Sequence, residues 1–206
     1  MRLLLVGPPG AGKGTQAQFL AAHYSIPHIS TGDIFRANLK AGTDIGNQAR
    51  VFMDRGELVP DDVTNEMVRL RLEESDAAQG FLLDGWPRNI AQAEYFDAIL
   101  AKKKIEMDAV LELSISDAEI ISRLSSRRTC RDCGKPSQGN ACGACGGELY
   151  QREDDKEEVI ANRLKVYADQ TAPIIAFYRA KGLLLTTPAT GSVEEITMQA
   201  IALLSK

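Results

Sequence analysis

Lys13 and its neighbours are the first place where this chain could do chemistry. Gly7-Pro8-Pro9-Gly10-Ala11-Gly12-Lys13-Gly14-Thr15 follows a short apolar run and precedes a helical pattern. In that setting a glycine-rich loop turns its backbone N–H groups onto phosphates. The helix behind such a loop adds the positive end of its dipole. The Lys13 ammonium supplies a mobile charge for the β- and γ-phosphates, and a hydroxyl such as that of Thr15 holds magnesium. Downstream, Asp84-Gly85-Trp86-Pro87-Arg88 runs a strand into a tight turn. Asp84, at the strand's C-terminal end, could orient magnesium through its waters. Arg88 offers a planar fork suited to a monophosphate. Taken singly, Asp84 could equally cap the next helix, and Arg88 could be an ordinary surface arginine.

Phosphoryl transfer leaves a protein mainly positioning and charge neutralisation to perform, so further cations should converge on the same place. Arg123 and Arg127 are four apart on a predicted helix and therefore share a face. Like charges at that spacing repel by roughly 0.2–0.5 kcal/mol. A shared anion would account for them, and so would a plain Arg123–Glu119 pair. No Ser-His-Asp or Cys-His set is visible, and His23 and His28 read as structural.

All four cysteines lie in two C-x-x-C-G knuckles, Cys130/Cys133 and Cys142/Cys145. In a reducing compartment that pattern reads as a metal site before it reads as disulfides. Four thiolates favour a closed tetrahedral Zn2+, with iron less favoured. Lacking an open position, the metal would be structural and would staple a segment without a core of its own.

Arg2–Val6, His28–Ser30, Phe81–Asp84, Ala109–Ile115 and Leu183–Thr187 are the expected strands. They are continuous apolar runs, as in a parallel sheet covered on both faces. Helical segments lie between them, and Ser116–Glu119 and Ser192–Glu195 fit the capping box. The expected fold is α/β and doubly wound, a five-stranded parallel sheet flanked by helices. Residues 31–60 (helical, polar, glycine-punctuated) and 128–158 (rich in Gly, Cys and charge) interrupt the alternation and are candidate lids at the strands' C-terminal end. A net charge of −4 argues against a dedicated nucleic-acid binder. The apolar run that opens the chain is too short for a signal h-region or a membrane span, and no later stretch comes close to either, so a cytoplasmic protein is expected.

GPPGAGKGT, in which Gly14 rather than a hydroxyl residue follows the lysine, resembles the adenylate kinase and UMP/CMP kinase family. The resemblance continues in order through residues 29–36, GELVPDDV (56–63), DGWPRN (84–89), RLSSRR (123–128), QREDD (151–155) and NRL (162–164), and so spans nearly the whole chain. It implies a P-loop NTPase core (1–29, 60–127, 159–206), an NMP-binding subdomain (30–59) and a lid (128–158) carrying the metal knuckles. The implied ligands are ATP, AMP and ADP, with Mg2+, in a monomer without nucleic-acid or membrane partners. Gly10, Ala11, Gly12, Lys13, Gly14, Thr15, Arg123 and Arg127 match ATP-binding positions. Thr31, Gly32, Arg36, Glu57, Leu58, Val59, Gly85, Arg88, Gln92, Arg152 and Arg163 match AMP-binding ones. Lys13, Asp84, Arg88, Arg127, Arg152 and Arg163 match the catalytic set, and Asp154 and Asp155 match lid carboxylates serving as hinge or ion-pair residues.

Thr31 and Gln92 tip the implied acceptor to AMP over UMP or CMP. By residue pattern alone, Gln92 reads as a solvated residue on an amphipathic helix. Two departures from the family pattern stand out. Trp86 replaces the usual phenylalanine, which would narrow the acceptor pocket slightly. Only eight residues separate the two knuckles, and Lys135-Pro136-Ser137 stands where an aromatic is common. A rival reading from another class, a zinc-ribbon module for nucleic acid, is opposed by the acidic charge and by the lack of aromatics interleaved with the cysteines.

Overall fold

The computed structural model describes residues 1–137 and 139–205; Gln138 and Lys206, inside the expected ranges 128–158 and 159–206, lie outside the described residues. Its strands are β1 (Arg2–Val6), β2 (His28–Ser30), β3 (Phe81–Asp84), β4 (Ala109–Ser114), β5 (Arg128–Cys130), β6 (Pro136–Ser137), β7 (Leu149–Tyr150) and β8 (Leu184–Pro188). The main sheet has the order β2-β3-β1-β4-β8 and is parallel throughout. β4 ends one residue before the expected Ile115, and β8 lies one residue later than expected.

Side chains of β1 alternate between two cores. Leu4 and Val6 pack with Val68, Trp86, Phe96 and Tyr178, whereas Leu3 and Leu5 pack with Ala17, Leu20, Ile196 and Ala200. Both faces are covered, which is why the strand is uninterruptedly apolar. The helices doing the covering belong to the series α1 (Lys13–Tyr24), α2 (Thr31–Ala41), α3 (Asp44–Met53), α4 (Asp61–Arg71), α5 (Ile90–Lys103), α6 (Asp117–Ser126), α7 (Glu157–Val166), α8 (Pro173–Ala180) and α9 (Val193–Leu204). α1 and α9 lie on one face; α4, α5 and α8 lie on the other. Gln16 pins α1 to α9: its Nε2 donates to the Val193 carbonyl at 3.1 Å and its Oε1 accepts from Thr197 Oγ1 at 2.8 Å.

Two helix signals need correction. At Ser192–Glu195 both halves of the capping box form. At Ser116 the hydroxyl accepts from the Glu119 N–H, but the reciprocal bond to the backbone is missing among the described residues, so the box is half made. α6 stops at Ser126, and Arg127 is already extended (φ −63, ψ 133), its N–H closing the last turn on the Leu124 carbonyl. Arg123 and Arg127 therefore do not share a helix face. Of the polar stretch 31–60, α2 and α3 are helical, and the chain leaves helix after Met53.

Candidate active site and metal centre

The glycine-rich loop sits where β1 ends and α1 begins, at the C-terminal edge of the sheet. Gly12 caps α1 at φ 90, a left-handed conformation that a side chain would resist. The Lys13 ammonium donates to the carbonyl oxygens of Gly7 at 2.8 Å and Pro8 at 2.9 Å. Burial lowers its pKa to about 8; Asp84 pulls the other way, and Arg88, Arg163 and Arg127 push it lower still. A Cβ at Gly14 would stand 3.5 Å from Asp84 Oδ2, in ordinary van der Waals contact, so the carboxylate lies directly beside the loop.

Asp84 is buried at the end of β3 and does not cap the next helix, a role taken by Asn89. Burial raises its proton affinity, but His28, Lys13 and Arg88 outweigh this and hold the carboxyl below its usual range. His28 Nε2 is 3.5 Å from Asp84 Oδ2. Nothing local in the sequence marks this histidine as a neighbour of Asp84; the β2–β3 register, which pairs Ser30 with Asp84, brings it there.

A cleft of about 1060 Å3, its open mouth included, runs from Gly7, Pro9 and Lys13 past Thr31, Gly32, Arg36, Glu57, Leu58, Val59, Gly85, Arg88 and Gln92 to Asp154 and Arg163. The Gly85 carbonyl accepts from Thr31 Oγ1 at 2.9 Å and from Arg88 Nε at 2.6 Å. Arg36 pairs with Asp33. Gln92 is buried, not solvated. Trp86 is also buried, away from the cleft lining: its Nε1 donates to Asn65 Oδ1 at 2.9 Å and its ring meets Phe96 edge-on. It therefore does not narrow the pocket, because the backbone turn that aims Gly85 and Arg88 into the cleft aims residue 86 into the core.

Of the remaining arginines, Arg127 and Arg163 are held by carboxylates. Asp155, with no side-chain exposure, takes Arg127 in a two-pronged pair at 2.5 and 2.8 Å and also Arg163 at 3.1 Å. Arg163 further meets Asp154 at 3.1 Å. Asp154 and Asp155 are thus ion-pair residues. Arg152 Nε donates to Thr129 Oγ1 at 2.8 Å, and its pKa falls to about 10 through burial and the nearby Arg36 and Arg127. Arg123 turns instead to the Ala189 carbonyl at 2.7 Å, with Glu119 at 3.4 Å.

Beyond α6 the chain makes a small antiparallel sheet, β6-β5-β7, on which the knuckles sit. The four sulfurs lie within 4.8 Å of one another, with Cys130–Cys145 at 3.5 Å and Cys133–Cys142 at 3.6 Å. Those separations are far beyond a disulfide's ~2.05 Å. They approach the ~3.8 Å edge of a tetrahedron with Zn–S bonds of ~2.3 Å. Each knuckle closes with a glycine N–H on the first cysteine's carbonyl, Gly134 on Cys130 at 3.1 Å and Gly146 on Cys142 at 2.7 Å. Backbone N–H groups of Ala144 and Cys145 lower the Cys142 pKa to about 6, whereas the neighbouring thiols of Cys130 and Cys133 push that of Cys145 up. The donor set fits a closed zinc site.

A phosphate loop at a parallel sheet's edge, facing a cleft lined with arginines, defines a P-loop phosphotransferase. The family model described as "Adenylate kinase" matches residues 5–183. Relatives named adenylate kinase include those of Salinispora tropica (57% identical, 98% of this chain and 96% of the relative), Acidothermus cellulolyticus (53%, 99% and 98%) and Caldicellulosiruptor bescii (48%, 98% and 97%). The chain belongs to the adenylate kinase family, and is a nucleoside monophosphate kinase.

Proposed function

We propose that the protein catalyses reversible, Mg2+-dependent phosphoryl transfer, ATP + AMP = 2 ADP, by direct in-line displacement. The observation that carries this reading is the crowding of cations around one cleft. Burial is the largest cause of the lowered proton affinity of Lys13, Arg88 and Arg152, and neighbouring guanidiniums lower each further: Arg88, Arg163 and Arg127 at Lys13, Arg163 and Arg36 at Arg88, and Arg36 and Arg127 at Arg152. Such mutual repulsion is relieved by a polyanion.

In this reading the loop N–H groups from Gly10 to Thr15 and the Lys13 ammonium hold the donor phosphates, and Arg123 lies under the donor base. Thr31, Gly32, Arg36, Arg88 and the Glu57–Val59 backbone hold the acceptor, whose adenine edge Gln92 reads. Mg2+, held by Thr15 and through water by Asp84, would neutralise the β- and γ-oxygens. An acceptor phosphate oxygen forms the new P–O bond as the bond to the departing ADP breaks. That oxygen is already anionic, so no general base is required. Residues 30–59 and 128–158 close over the reactants and exclude water. Zinc on Cys130, Cys133, Cys142 and Cys145 is structural.

The protein acts as a cytoplasmic monomer without nucleic-acid or membrane partners. Among the described residues, no helix is long and apolar enough to cross a membrane. The test is product formation from Mg–ATP with AMP, GMP, CMP and UMP in turn. Rapid ADP production with AMP alone is expected. Preference for CMP or UMP would overturn the base assignment, and no transfer to any acceptor would overturn the reading.

A further inference from the structure

Gln92, in the first turn of α5, lines the cleft with both ends of its carboxamide already engaged. Its Oε1 accepts from the Arg88 backbone N–H at 2.7 Å, and its Nε2 donates to Asp61 Oδ1 at 2.7 Å. Asp61 opens α4 and is not among the residues lining the cleft. It also accepts from Asn89 Nδ2, at 3.1 and 3.2 Å to its two oxygens, while Asn89 Oδ1 accepts from the Gln92 N–H at 2.8 Å.

A carboxamide is nearly symmetric in shape and asymmetric in chemistry, so its partners decide which end is which. A carboxylate only accepts, and a backbone N–H only donates. One orientation satisfies both neighbours of Gln92; the reverse would set oxygen against an anion and N–H against N–H. One amide hydrogen and one oxygen lone pair remain free for a ligand. Adenine offers an amino donor beside a ring-nitrogen acceptor. A 6-oxo purine offers a keto acceptor beside a ring N–H, the same pair reversed. An amide free to turn over would serve both, whereas a fixed one serves only the first.

We infer that Asp61, from behind the pocket, locks the Gln92 carboxamide in the orientation that reads a 6-amino purine, and so is a positioning residue for rejecting 6-oxo purine monophosphates. The inference rests on the reading of Gln92 as the adenine contact. Of the two neighbours, Asp61 is the stronger determinant, because its bond is charge-assisted.

The experiment compares kcat/KM for AMP and IMP in wild type, Asp61→Ala, Gln92→Leu and the double variant, with KM for ATP as a control. Asp61→Ala should narrow the AMP:IMP ratio by ~10-fold or more and leave the ATP KM in place, since buried polar groups left unpaired are what reject a mismatched ligand. Gln92→Leu should narrow the ratio too, and adding Asp61→Ala to it should change the ratio no further. Should Asp61→Ala not fold, Asp61→Ser keeps a polar helix start, drops the acceptor-only demand and carries the same expectation. If Gln92→Leu collapses the ratio while the Asp61 variants keep it, or lower both substrates equally, the inference is overturned and the adenine-contact reading stands. If Gln92→Leu itself keeps the ratio, that reading fails and takes the inference with it.

Discussion

Replacing Lys13 with methionine asks whether the cleft holds charge that it cannot itself neutralise. Burial is the main reason the ammonium's pKa falls from 10.5 to about 8, with Asp84 opposing and three arginines reinforcing the fall. Between those two values the unfolded chain keeps a proton that the folded chain has lost, so stability rises with pH. Below about pH 8 both states are protonated, and the folded state bears the full cost of the buried charge. Integrating that difference from about pH 7 to pH 10 gives wild type a gain of about 2.5 kcal/mol, or about half that if water reaches the ammonium. Methionine keeps the length of the side chain and does not titrate. It leaves the Gly7 and Pro8 carbonyls without their donor, a loss of about 1 kcal/mol that is independent of pH. Urea unfolding of both proteins across this range isolates the effect, because every other titrating group is common to the two. The wild-type-minus-variant difference should climb by about 1–2.5 kcal/mol in favour of wild type. A flat difference would refute the argument. Saturating ADP should also flatten it, since phosphate restores the counter-charge, and phosphoryl transfer should be lost in the variant.

Arg127→Ala should cost about 1–3 kcal/mol in denaturant unfolding, because the buried Asp155 is left with Arg163 as its one remaining ion-pair partner. Adding Asp155→Ala should recover much of that loss, and an undiminished loss in the double variant would contradict the pairing. Cys142→Ser should release the metal, read by elemental analysis, and open residues 128–156 to proteolysis while the main sheet survives. Trp86→Phe removes the bond to Asn65 and part of a buried ring, and should cost about 1–2 kcal/mol. The KM for AMP should stay unchanged in that variant; a shifted KM would place residue 86 in the pocket after all.

Local signals carried the scaffold. The first three strands fall where their apolar runs place them, since a strand buried on both faces must be apolar throughout. The cysteine spacing foretold one thiolate cluster, because two such knuckles can share one ion. Legibility ended where partners come from distant segments. Arg127 finds Asp155, 28 residues on, and no helical periodicity foretells that its own helix stops one residue earlier. Gln92 looked solvated because its partner Asp61 lies 31 residues back on another helix. His28 gave no sign of Asp84, since strand order rather than composition makes them neighbours.

Asp155 is a rival to the substrate. It pairs with Arg127 through Nε and Nη2 and with Arg163 through Nη1, so in the proposed reaction phosphate would share these guanidiniums with a resident anion. Where phosphate takes the N–H groups that Asp155 now holds, one ion pair replaces another and the net gain in ground-state affinity is small. Stray inorganic anions would meet the same competitor. A carboxylate that reclaims its arginines would also favour the departure of ADP.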